Sequence, residues 1–545
     1  MFKLFNLFLI ISFLSAFQNS IDPITHRLEF VTEDDKIAKL IERLYLSSGH
    51  LPLEIGSFYT ISDVEEDLAH WKTLYQSPSI YQFKIINEIE LILNTIQLDN
   101  FDITQTSFNP TIEINSGFDY LYHEQYSPTD DDSLFFDVFR DRDFITKYNQ
   151  RGNIFSIRIK SSYWKYFYFS SLFGLKENWV GLKQKTHHFI EDFHNIDNNF
   201  NQHAYGTFRF GPLLINSGRS RATMGVGNHG KLLLGHELPP LDVFRTSVKF
   251  GKNFKFYNYM MPLNNISMQN LDESALPKYL LAHRVSLDLP PYIRIAGSEL
   301  MIINSHLQWN YLNPLIVYHN VSNANFVNIL TSFDLEFVPY KNIRTFFAIA
   351  IDEIDFYAIE SSDPDNPRES RLATGVQTGL KILDPFSLQN TEIQFEYVLT
   401  DRWLYNYQVT DNSKDLTYTF VEKIEFPETH YFYRHVGHYL GSNAKAFFLD
   451  ITFNKISLHI NNIKRGNNYI LDFENTWDES LPNIIENCTT VHIDWSDNFF
   501  ANKLNIRSRL GYSWIDNYHH VVNEYFEYPE FWLNINYRLF LFSDI

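Results

Sequence analysis

The sequence predicts an all-β transmembrane barrel that follows a small N-terminal α-helical bundle. Three observations favour this fold class: strictly alternating apolar and polar residues, a high aromatic content, and the lack of an apolar segment long enough for a transmembrane helix. The alternation is clearest in Arg151–Lys160, where Phe155, Ile157 and Ile159 are each followed by a polar or charged residue. A period of two indicates a β-strand with one apolar and one polar face.

The same alternation recurs through the rest of the chain, for example in Thr111–Tyr122, Glu392–Leu399, Val491–Trp495 and Phe531–Phe542. In a soluble sandwich the apolar face would pack against a second sheet. In an outer-membrane barrel it faces lipid, and the polar face lines the lumen. We favour the barrel because the apolar side of these segments carries no charge. A large secreted all-β protein that binds or cleaves glycans is the alternative.

Composition supports a barrel and excludes nucleic-acid binding. The 545 residues are 17% aromatic, with 49 Phe and 33 Tyr, which suits aromatic girdles at both membrane interfaces. The chain is nevertheless polar on average, with a mean hydropathy of −0.25, because half of each barrel strand faces water. The formal net charge of −20 is unsuited to nucleic acid, which requires a basic surface.

Residues 1–20 are predicted to be a secretory signal peptide. Lys3 supplies a short positive region, Leu4–Leu14 an apolar core, and Ser15 and Ala16 are small residues near a cleavage point. Export and alternating strands together predict a cell outer membrane of the Gram-negative type, with its lipid around the barrel. The one cysteine, Cys488, permits no intramolecular disulfide and is predicted to be an ordinary buried or lipid-facing thiol.

Residues 28–98 are predicted to form the helical bundle. Asp34–Leu46 carries apolar residues at helical spacing and acidic residues at its start, as expected for an amphipathic helix. Ser62 opens a capping-box pattern, which predicts the start of a second helix. A third helix is predicted over Tyr81–Leu98, with Phe83 on its apolar face.

From about residue 108 to 545 the period is two, which predicts an even number of barrel strands in the high teens. Short and long polar gaps alternate between them, as periplasmic turns and extracellular loops do. The last strand is aromatic, the feature that barrel assembly machinery reads, so this machinery is an expected partner. The predicted strands are Pro110–Tyr122, Leu134–Arg140, Ile154–Lys160, Ser162–Leu172, Gly206–Ser217, Arg245–Asn258, Arg284–Leu289, Ile293–Ile303, Ser332–Pro339, Arg344–Ile351, Arg371–Leu383, Thr391–Thr400, Thr417–Phe426, Ala444–Phe453, Lys455–Asn461, Thr489–Ser496, Asn502–Trp514 and Trp532–Phe542.

Three regions carry features beyond those of a generic barrel. In the first, Gly218–Pro240, a strand that ends near a glycine leads into a Gly-rich turn, a short apolar strand and a Pro-containing loop. The turn glycines are Gly225, Gly227 and Gly230. This region resembles the Wzi capsule-assembly family, which often has aromatic residues just before the first of these glycines, whereas this chain has Ala222–Met224.

The second region combines Ala282–Arg284, the Gly-x-Glu segment Ile295–Ile303 and the Asn-Pro segment Tyr311–Pro314, and the third is the acidic strand end Ile349–Phe356. The resemblance extends over the whole chain in architecture, including the helices. It implies an outer-membrane barrel of about eighteen antiparallel strands with a periplasmic helical bundle. It also implies a lectin-like protein that holds exported capsular or exopolysaccharide at the cell surface and catalyses no reaction.

Polysaccharide binding requires aromatic faces for sugar C–H surfaces, and Asp, Asn, Arg or His side chains for hydroxyls and uronates. Lumen-facing and loop positions offer candidates, namely Arg219, Arg221, His229, His236, Arg284, Glu299, Asn313, Asp352 and Asp355. The alternative interpretation is structural, because networks of inward Arg, Glu and Asp also fill a barrel interior and must be paired there. The three glycines likewise fit a tight turn with positive φ or a close backbone approach.

No catalytic or cofactor motif is found. The sequence contains no G-x-S-x-G, H-E-x-x-H or C-x-x-C pattern, so no catalytic residue, cofactor or metal is predicted. The adjacent pairs at 187–188 and 519–520 are poor metal sites, because neighbouring strand residues point to opposite faces. An outer-membrane porin or transport channel for small solutes is the main functional alternative, and a barrel glycosidase with paired carboxylates is a lesser one.

Overall fold

The computed structural model describes residues 28–31, 35–52, 54, 59–98, 109–123, 152–163, 166–177, 187–188, 196–197, 201–235, 238–251, 253–264, 277–289, 291–307, 311, 313, 316–318, 327–352, 373–402, 404–405, 420–425, 431–466, 483–500 and 503–542. Within these residues, eighteen antiparallel strands close into one barrel, which three helices precede. The predicted signal peptide lies outside the described residues.

The barrel strands follow one another in chain order around the sheet. They are β1 (Asn109–His123), β2 (Phe155–Tyr163), β3 (Phe167–Glu177), β4 (Asn201–Phe210), β5 (Leu213–Ser220), β6 (Leu241–Phe250), β7 (Phe254–Leu263), β8 (Lys278–Leu289), β9 (Ile293–Asn304), β10 (Val327–Tyr340), β11 (Ile343–Asp352), β12 (Ala373–Leu383), β13 (Thr391–Thr400), β14 (Ala444–Phe453), β15 (Ile456–Gly466), β16 (Ile485–Phe499), β17 (Leu504–Asp516) and β18 (Tyr525–Phe542). The sheet closes where β1 pairs with β18, from Ile112 opposite Phe542 to His123 opposite Glu530. Closure pairs the two strands that would otherwise be sheet edges.

The two faces of the barrel strands are reversed relative to those of a soluble protein. In β10, Phe333 is 53% exposed, whereas Asp334 is 4% and Glu336 2% exposed. The same alternation continues around the barrel, with large apolar side chains exposed at Phe208, Phe244, Ile295, Phe347, Leu399, Phe447, Ile493, Leu510 and Leu539. An apolar belt around a polar interior is the arrangement that a hydrocarbon surrounding stabilises. The barrel prediction is therefore confirmed, and a two-sheet soluble sandwich is excluded.

Two predicted strands each prove to be a hairpin. Gly206–Ser217 is interrupted by a tight turn at Gly211, and Arg245–Asn258 by another at Gly251. Both glycines have positive φ, 57° and 63°, the conformation that short hairpin turns require. Neither turn is recognisable in the sequence, because the strand ends on both sides of each turn are apolar and the hydrophobic alternation continues through the turn.

Two other predicted strands do not belong to the barrel as it is described. Of Thr417–Phe426, the strand portion is Val421–Glu425, which pairs with Tyr431–His435 in a separate small hairpin. Leu134–Arg140 lies outside the described residues. The predicted number of strands and the number of described barrel strands agree because two predicted strands each become a hairpin, one predicted strand lies in the separate hairpin, and one lies outside the described residues.

The described helices are α1 (Lys36–Ser47), α2 (Ile61–Leu74) and α3 (Ile80–Leu98), close to the three predicted. None of these is both long enough and apolar enough to cross a membrane. Phe83 was predicted on the apolar face of α3 but is 54% exposed, because the buried face is centred on Ile86 and Ile89. The shared core of the three helices includes Ile41, Leu44, Val64, Leu68, Trp71 and Ile89.

Helix α2 begins earlier than predicted, because Thr60 rather than Ser62 is its N-cap. The Thr60 hydroxyl accepts a hydrogen bond from the backbone N–H of Asp63 (3.4 Å), and the Asp63 carboxylate accepts one from the backbone N–H of Thr60 (2.8 Å). Two overlapping capping-box patterns therefore exist in the sequence. The barrel favours the first, because Asp63 also pairs with Arg209 and Lys249 of β4 and β6.

The helices pack against the end of the barrel where short turns join the strands. Asn342, in the turn between β10 and β11, donates its backbone N–H to the Leu46 carbonyl at the end of α1 (2.8 Å). Glu42 of α1 accepts hydrogen bonds from Arg344 of β11 (2.6 Å) and Lys381 of β12 (2.9 Å). Buried charge pairs thus fix the helical segment to this end, while the longer connections emerge at the other.

Candidate functional site

The connection between β5 and β6 folds into the barrel as the inward loop, Arg221–Gly235. Its two arms meet at Met224 and Leu234, whose backbone N–H and C=O groups form reciprocal hydrogen bonds of 3.0 and 3.2 Å. Three successive leucines, Leu232–Leu234, are at most 2% exposed. They belong to the same buried apolar cluster as Tyr405 and Phe448, so the loop contributes to a core inside the barrel.

The tip of the inward loop reaches strands that are not neighbours of β5 or β6. The backbone N–H of Asn228 donates to the Glu396 carboxylate of β13 (2.8 Å), and the Gln377 side-chain amide of β12 donates to the Gly230 carbonyl (2.9 Å). The Tyr405 hydroxyl donates to the Leu232 carbonyl (2.7 Å). The loop therefore crosses the lumen and is fixed to the far wall.

The three turn glycines of the sequence analysis lie in this loop, and all have positive φ: +112° for Gly225, +112° for Gly227 and +151° for Gly230. A Cβ on Gly227 would lie 2.1 Å from the Gln377 amide nitrogen, and one on Gly230 would lie 2.4 Å from Nε2 of His438. At Gly227 and Gly230 the loop therefore requires both the left-handed backbone and the missing side chain.

His229 joins the inward loop to the wall of β14. Its ring stacks on Phe448, with centroids 4.2 Å apart and an interplanar angle of 4°, and its Nε2 lies 2.5 Å from the Asp450 carboxylate. Burial alone would lower the pKa of His229. The hydrogen bond to Asp450 and the negative charges of Asp450 and Glu396 outweigh burial and raise the pKa above its usual value of 6.5, which favours the imidazolium.

From Asp450 a continuous row of polar side chains runs along the lumenal wall. Asp450 lies opposite His459 in the sheet register, and its carboxylate is 2.6 Å from Nδ1 of His459. His459 lies opposite His492, and the two rings stack with centroids 4.5 Å apart. Both rings approach Asp494, and Arg509 donates to its two carboxylate oxygens at 2.8 and 2.9 Å.

The row continues across the seam where the barrel closes. Arg509 lies 3.8 Å from the Glu530 carboxylate, and its guanidinium carbon is 5.8 Å from the centre of the Trp532 ring. The Trp532 indole N–H donates to Asp119 of β1 (2.6 Å). We call this surface the lumenal strip, comprising Asp119, His229, Asp450, His459, His492, Asp494, Arg509, Glu530 and Trp532.

The lumenal strip is partly accessible, unlike the wall that the inward loop covers. From His229 to Glu530, the side-chain exposure of its charged and imidazole groups ranges from 13% at His492 to 28% at Asp494. Asp119 is 8% exposed, and on the covered wall Gln377 is 0% and Glu396 1% exposed. The accessible groups are carboxylates, imidazoles, a guanidinium and an indole, which together can bind hydroxyls, carboxylates and apolar sugar faces. Ligand atoms of His459, His492 and Asp494 lie within 4.8 Å of one another, close enough for a metal ion.

Among the predicted site residues, Arg284 connects segments of the chain through buried hydrogen bonds and ion pairs. On β8 it donates hydrogen bonds to Glu54 (2.8 Å), which follows α1, and to Ser298 of β9 (3.0 Å), and it pairs with Asp334 of β10. Its side chain is 3% exposed. Because its charge is balanced by the carboxylates of Glu54 and Asp334, Arg284 links the N-terminal segment to three adjacent strands rather than presenting a free cation to the lumen.

Glu299 and Asp352 also fix inward-folded segments to the wall. Glu299 of β9 accepts from the backbone N–H of Tyr318 (2.9 Å), and Asp352 at the end of β11 accepts from that of Tyr405 (2.7 Å). Glu299 is 13% exposed at its side chain and Asp352 is 1% exposed. Both carboxylates replace water as the hydrogen-bond partners of loop backbone that is folded into the barrel.

The remaining predicted residues lie elsewhere. Arg219 is on the outward side of β5 and pairs with Asp242 (2.9 Å). Arg221 and Asn313 are exposed in connections, while His236 and Asp355 lie outside the described residues. Of the nine predicted residues, the lumenal strip therefore contains His229.

The other members of the lumenal strip were not predicted to be site residues. The alternation in the sequence did identify His492 and Asp494 as the polar side of their strand, and the same pattern holds around Arg509. What the sequence does not contain is the register that sets His459 opposite His492 and Asp494 opposite Arg509. A search for polar residues that recur at the middle of consecutive strands would have found the row.

No protein-family model and no curated protein matches the sequence. Among solved structures, the chain is similar to Wzi of Escherichia coli, described as an outer-membrane protein involved in group 1 capsule assembly and a carbohydrate-binding β-barrel. The identity is 10%, the match covers 93% of this chain and 99% of that one, and the TM-score is 0.54. At this identity the likeness concerns the fold, which is that of an outer-membrane β-barrel.

Two outer-membrane proteins of Pseudomonas aeruginosa are also similar. OccK11 (OpdR) is 9% identical over 81% of this chain and 100% of its own, with a TM-score of 0.41. OprD is 8% identical over 82% of this chain and 98% of its own, also with a TM-score of 0.41.

Proposed function

We propose that the protein is a Wzi-like outer-membrane barrel that binds exported capsular or exopolysaccharide and helps attach or assemble it at the cell surface, without catalysing a reaction. The observation that carries this proposal is the lumenal strip, in which charged and aromatic groups are partly accessible from the barrel interior. In this proposal the signal peptide exports the chain, barrel assembly machinery inserts it into outer-membrane lipid, and the helical bundle lies in the periplasm.

The part of the lumenal strip around Trp532 has the chemistry that glycan binding requires. The indole N–H bond to Asp119 (2.6 Å) fixes the ring plane, so that a sugar would meet a pre-oriented apolar face. Asn536 follows on the same side of β18, is partly exposed, and donates its side-chain amide to Asn534 (2.6 Å), which is 3% exposed. An amide that bonds to hydroxyls beside an aromatic face and a guanidinium suits a polymer with neutral and acidic sugars.

A pair of tryptophan substitutions tests this assignment. Trp532→Ala removes the aromatic face of the strip, and we expect the affinity for the purified surface polysaccharide of the source cell to fall about tenfold or more. Trp514→Ala is the control, because Trp514 lies on the lipid side of β17 at 37% exposure. Its affinity should stay within about twofold of the parent. Equal binding by both variants would contradict a lumenal glycan site.

Two cellular and electrical measurements separate glycan binding from solute transport. Deletion of the gene should release polysaccharide from the cell into the medium, since the proposed role is retention. The purified barrel in planar bilayers should show little conductance, because the inward loop occupies lumen beside β12–β14. Unchanged cell-bound polysaccharide combined with a large, stable conductance would favour a porin or transport channel instead.

A further inference from the structure

We propose that His459, His492 and Asp494 form a binding site for one divalent transition-metal ion, with Zn²⁺ the best match. Nε2 of His459 and Nε2 of His492 each lie 3.9 Å from a different oxygen of the Asp494 carboxylate. The three residues thus point ligand atoms at one region of the lumen, to which they come from the adjacent strands β15 and β16. This site goes beyond glycan binding and does not depend on it.

Asp450 provides the support that a metal-binding histidine needs. Its carboxylate lies 2.6 Å from Nδ1 of His459, so Nδ1 carries the proton and Nε2 is left as the acceptor that faces Asp494. This carboxylate–histidine–metal order orients the ring and strengthens its nitrogen as a ligand. We therefore assign Asp450 as a positioning residue for His459.

Arg509 and a metal ion can share Asp494. The guanidinium bonds to both carboxylate oxygens at 2.8 and 2.9 Å, which uses two of the roughly four lone-pair positions of a carboxylate. The positions that face the two histidines are on the other side. Arg509 would then hold the carboxylate as an outer partner of the metal, as Asp450 holds His459.

A small ion would bring the three ligand atoms closer together and turn the two imidazole rings out of their stack. Metal–ligand bonds of about 2.0–2.1 Å at tetrahedral angles place ligand atoms about 3.4 Å apart. The two measured separations of 3.9 Å require closure by about half an ångström. The two rings, whose planes are 21° apart in the stack, must also rotate about χ1 and χ2 so that both in-plane nitrogen lone pairs point at one ion. Three protein ligands leave a fourth position open to the lumen, for water or an oxygen of a bound molecule.

The donor types select the class of ion. Two imidazole nitrogens and one carboxylate oxygen suit Zn²⁺, Cu²⁺ or Ni²⁺, whereas Ca²⁺ and Mg²⁺ prefer oxygen ligands alone. The pairs that are adjacent in sequence, at 187–188 and 519–520, do not supply this site. It arises instead from histidines that face each other on neighbouring strands, because cross-strand partners share one face.

Calorimetric titration tests the proposal directly. The full chain, purified in detergent on a histidine-free tag and stripped with chelator, is titrated with Zn²⁺, and we expect one equivalent to bind. His459→Ala and His492→Ala should each weaken binding about 100-fold, because each removes one of three ligands. His203→Ala is the matched control, since His203 lies on β4 with Ser170 as its neighbour (3.2 Å), and it should bind as the parent does.

Circular dichroism and the migration of unheated samples on gels establish that each variant is a folded barrel. Absence of Zn²⁺ binding in the parent, or equal binding by the parent and the His459→Ala/His492→Ala double variant, would overturn the site. For the positioning role, Asp450→Ala should weaken binding about 10–100-fold and shift the visible absorption bands of bound Co²⁺. Asp450→Asn should be milder, because its amide oxygen still accepts the Nδ1 proton of His459. An unchanged affinity and spectrum in Asp450→Ala would remove Asp450 from the proposal.

Discussion

Gly225 and Gly227 have the same backbone dihedral, φ = +112°, but different surroundings. A Cβ on Gly225 would lie 3.7 Å from the Lys231 side chain, an ordinary contact, whereas one on Gly227 would lie 2.1 Å from the Gln377 amide nitrogen. A Cβ on Gly227 would also lie 2.3 Å from the Gly230 carbonyl oxygen within the loop. The two residues therefore separate the cost of a left-handed backbone from the cost of close contact with the barrel wall and with the loop itself.

Gly227→Ala is expected to displace the inward loop, and Gly225→Ala to leave it in place. Both substitutions incur the strain of positive φ, about 1–2 kcal/mol, but the first also forces Gln377 and the loop apart. Hydrogen exchange of Asn228 and His229, whose N–H groups bond to Glu396, measures the displacement. We expect exchange to accelerate strongly in Gly227→Ala and slightly in Gly225→Ala. Similar acceleration in both would mean that the backbone strain, and not the close contacts of Gly227 with Gln377 and the Gly230 carbonyl, displaces the loop.

At the residue scale the sequence predicted which side chains face the lumen better than which of them meet. Alternation assigned His492 and Asp494 to the polar face, and the structure agrees. The pairing of His492 with His459 depends on the register of β15 against β16, which the sequence does not encode locally. His229 was predicted as a site residue of the loop. Its stacking on Phe448 was not predictable, because it requires the loop to cross the lumen, and no local sequence pattern indicates that crossing.

At the scale of elements, the attachment of α1 to the barrel depends on a buried carboxylate. Burial alone would raise the pKa of Glu42, but Lys381 and Arg344 reverse this and lower it from 4.5 to about 2. That displacement corresponds to roughly 3 kcal/mol of stabilisation at neutral pH. Asp63, at the start of α2, has its pKa lowered in the same way by Lys249 and Arg209, against the opposing effect of burial.

We therefore expect α1 to detach from the barrel in acid. Because the pKa of Glu42 is lower in the folded than in the unfolded state, its contribution to the stability of the attachment is complete above pH 4.5 and is lost as the pH falls toward 2. Hydrogen exchange of the α1 amides, corrected for the intrinsic pH dependence, should show protection falling across that interval. Glu42→Gln should lose protection already at neutral pH and show a flatter profile.

Asp67 also titrates with pH, so the pH profile of the parent chain must be compared with that of Glu42→Gln. Burial raises the pKa of Asp67 to about 7, so its contribution to the helical core is complete below pH 3.8 and is lost as the pH rises through 7. In acid the core of the helical bundle therefore becomes more stable, while the attachment of α1 to the barrel becomes less stable. The difference between the parent chain and Glu42→Gln isolates the attachment. If the two profiles ran parallel, the Glu42 pairs would not hold α1 in place.

Strand positions were predicted well where polar gaps separate the strands and poorly where they do not. The strand at 391–400 was predicted to the residue. The hairpin turns at Gly211 and Gly251 were missed, because two or three turn residues between apolar strand ends do not interrupt the alternation of apolar and polar residues. The separate hairpin of Val421–Glu425 and Tyr431–His435 was predicted in part as a barrel strand, because a short alternating segment has the same sequence pattern in either place.

At the scale of the whole molecule, the barrel has charges inside and apolar side chains outside. Arg284 with Asp334, and Arg294 with Glu336, are buried pairs on lumenal faces, and each would be costly without its partner. The fold class was predictable because lipid contact imposes the alternation on every strand. The inward loop was not, because its burial depends on meeting β12–β14 across the lumen, far away in the sequence.

Two adjacent residues of β16 test this inverted arrangement. Val491 pairs with Ile460 and Tyr512 on the outer side, whereas Thr490 is on the lumenal side, 3.0 Å from the Ser513 hydroxyl. Val491→Lys should lower the free energy of unfolding by about 1–4 kcal/mol, depending on depth, because it places a charge in hydrocarbon. Thr490→Lys lies at the same height but among polar groups, so its effect should stay below about 1 kcal/mol.

Equilibrium unfolding by guanidinium in phospholipid vesicles, followed by tryptophan fluorescence, gives both values. The comparison holds depth, strand and introduced residue constant, so only the side of the wall differs. Equal losses would mean that lipid does not surround the outer face. A larger loss for Thr490→Lys would mean that the lumenal side is the more apolar environment, which is the reverse of the arrangement that the exposed belt and the buried charge pairs require.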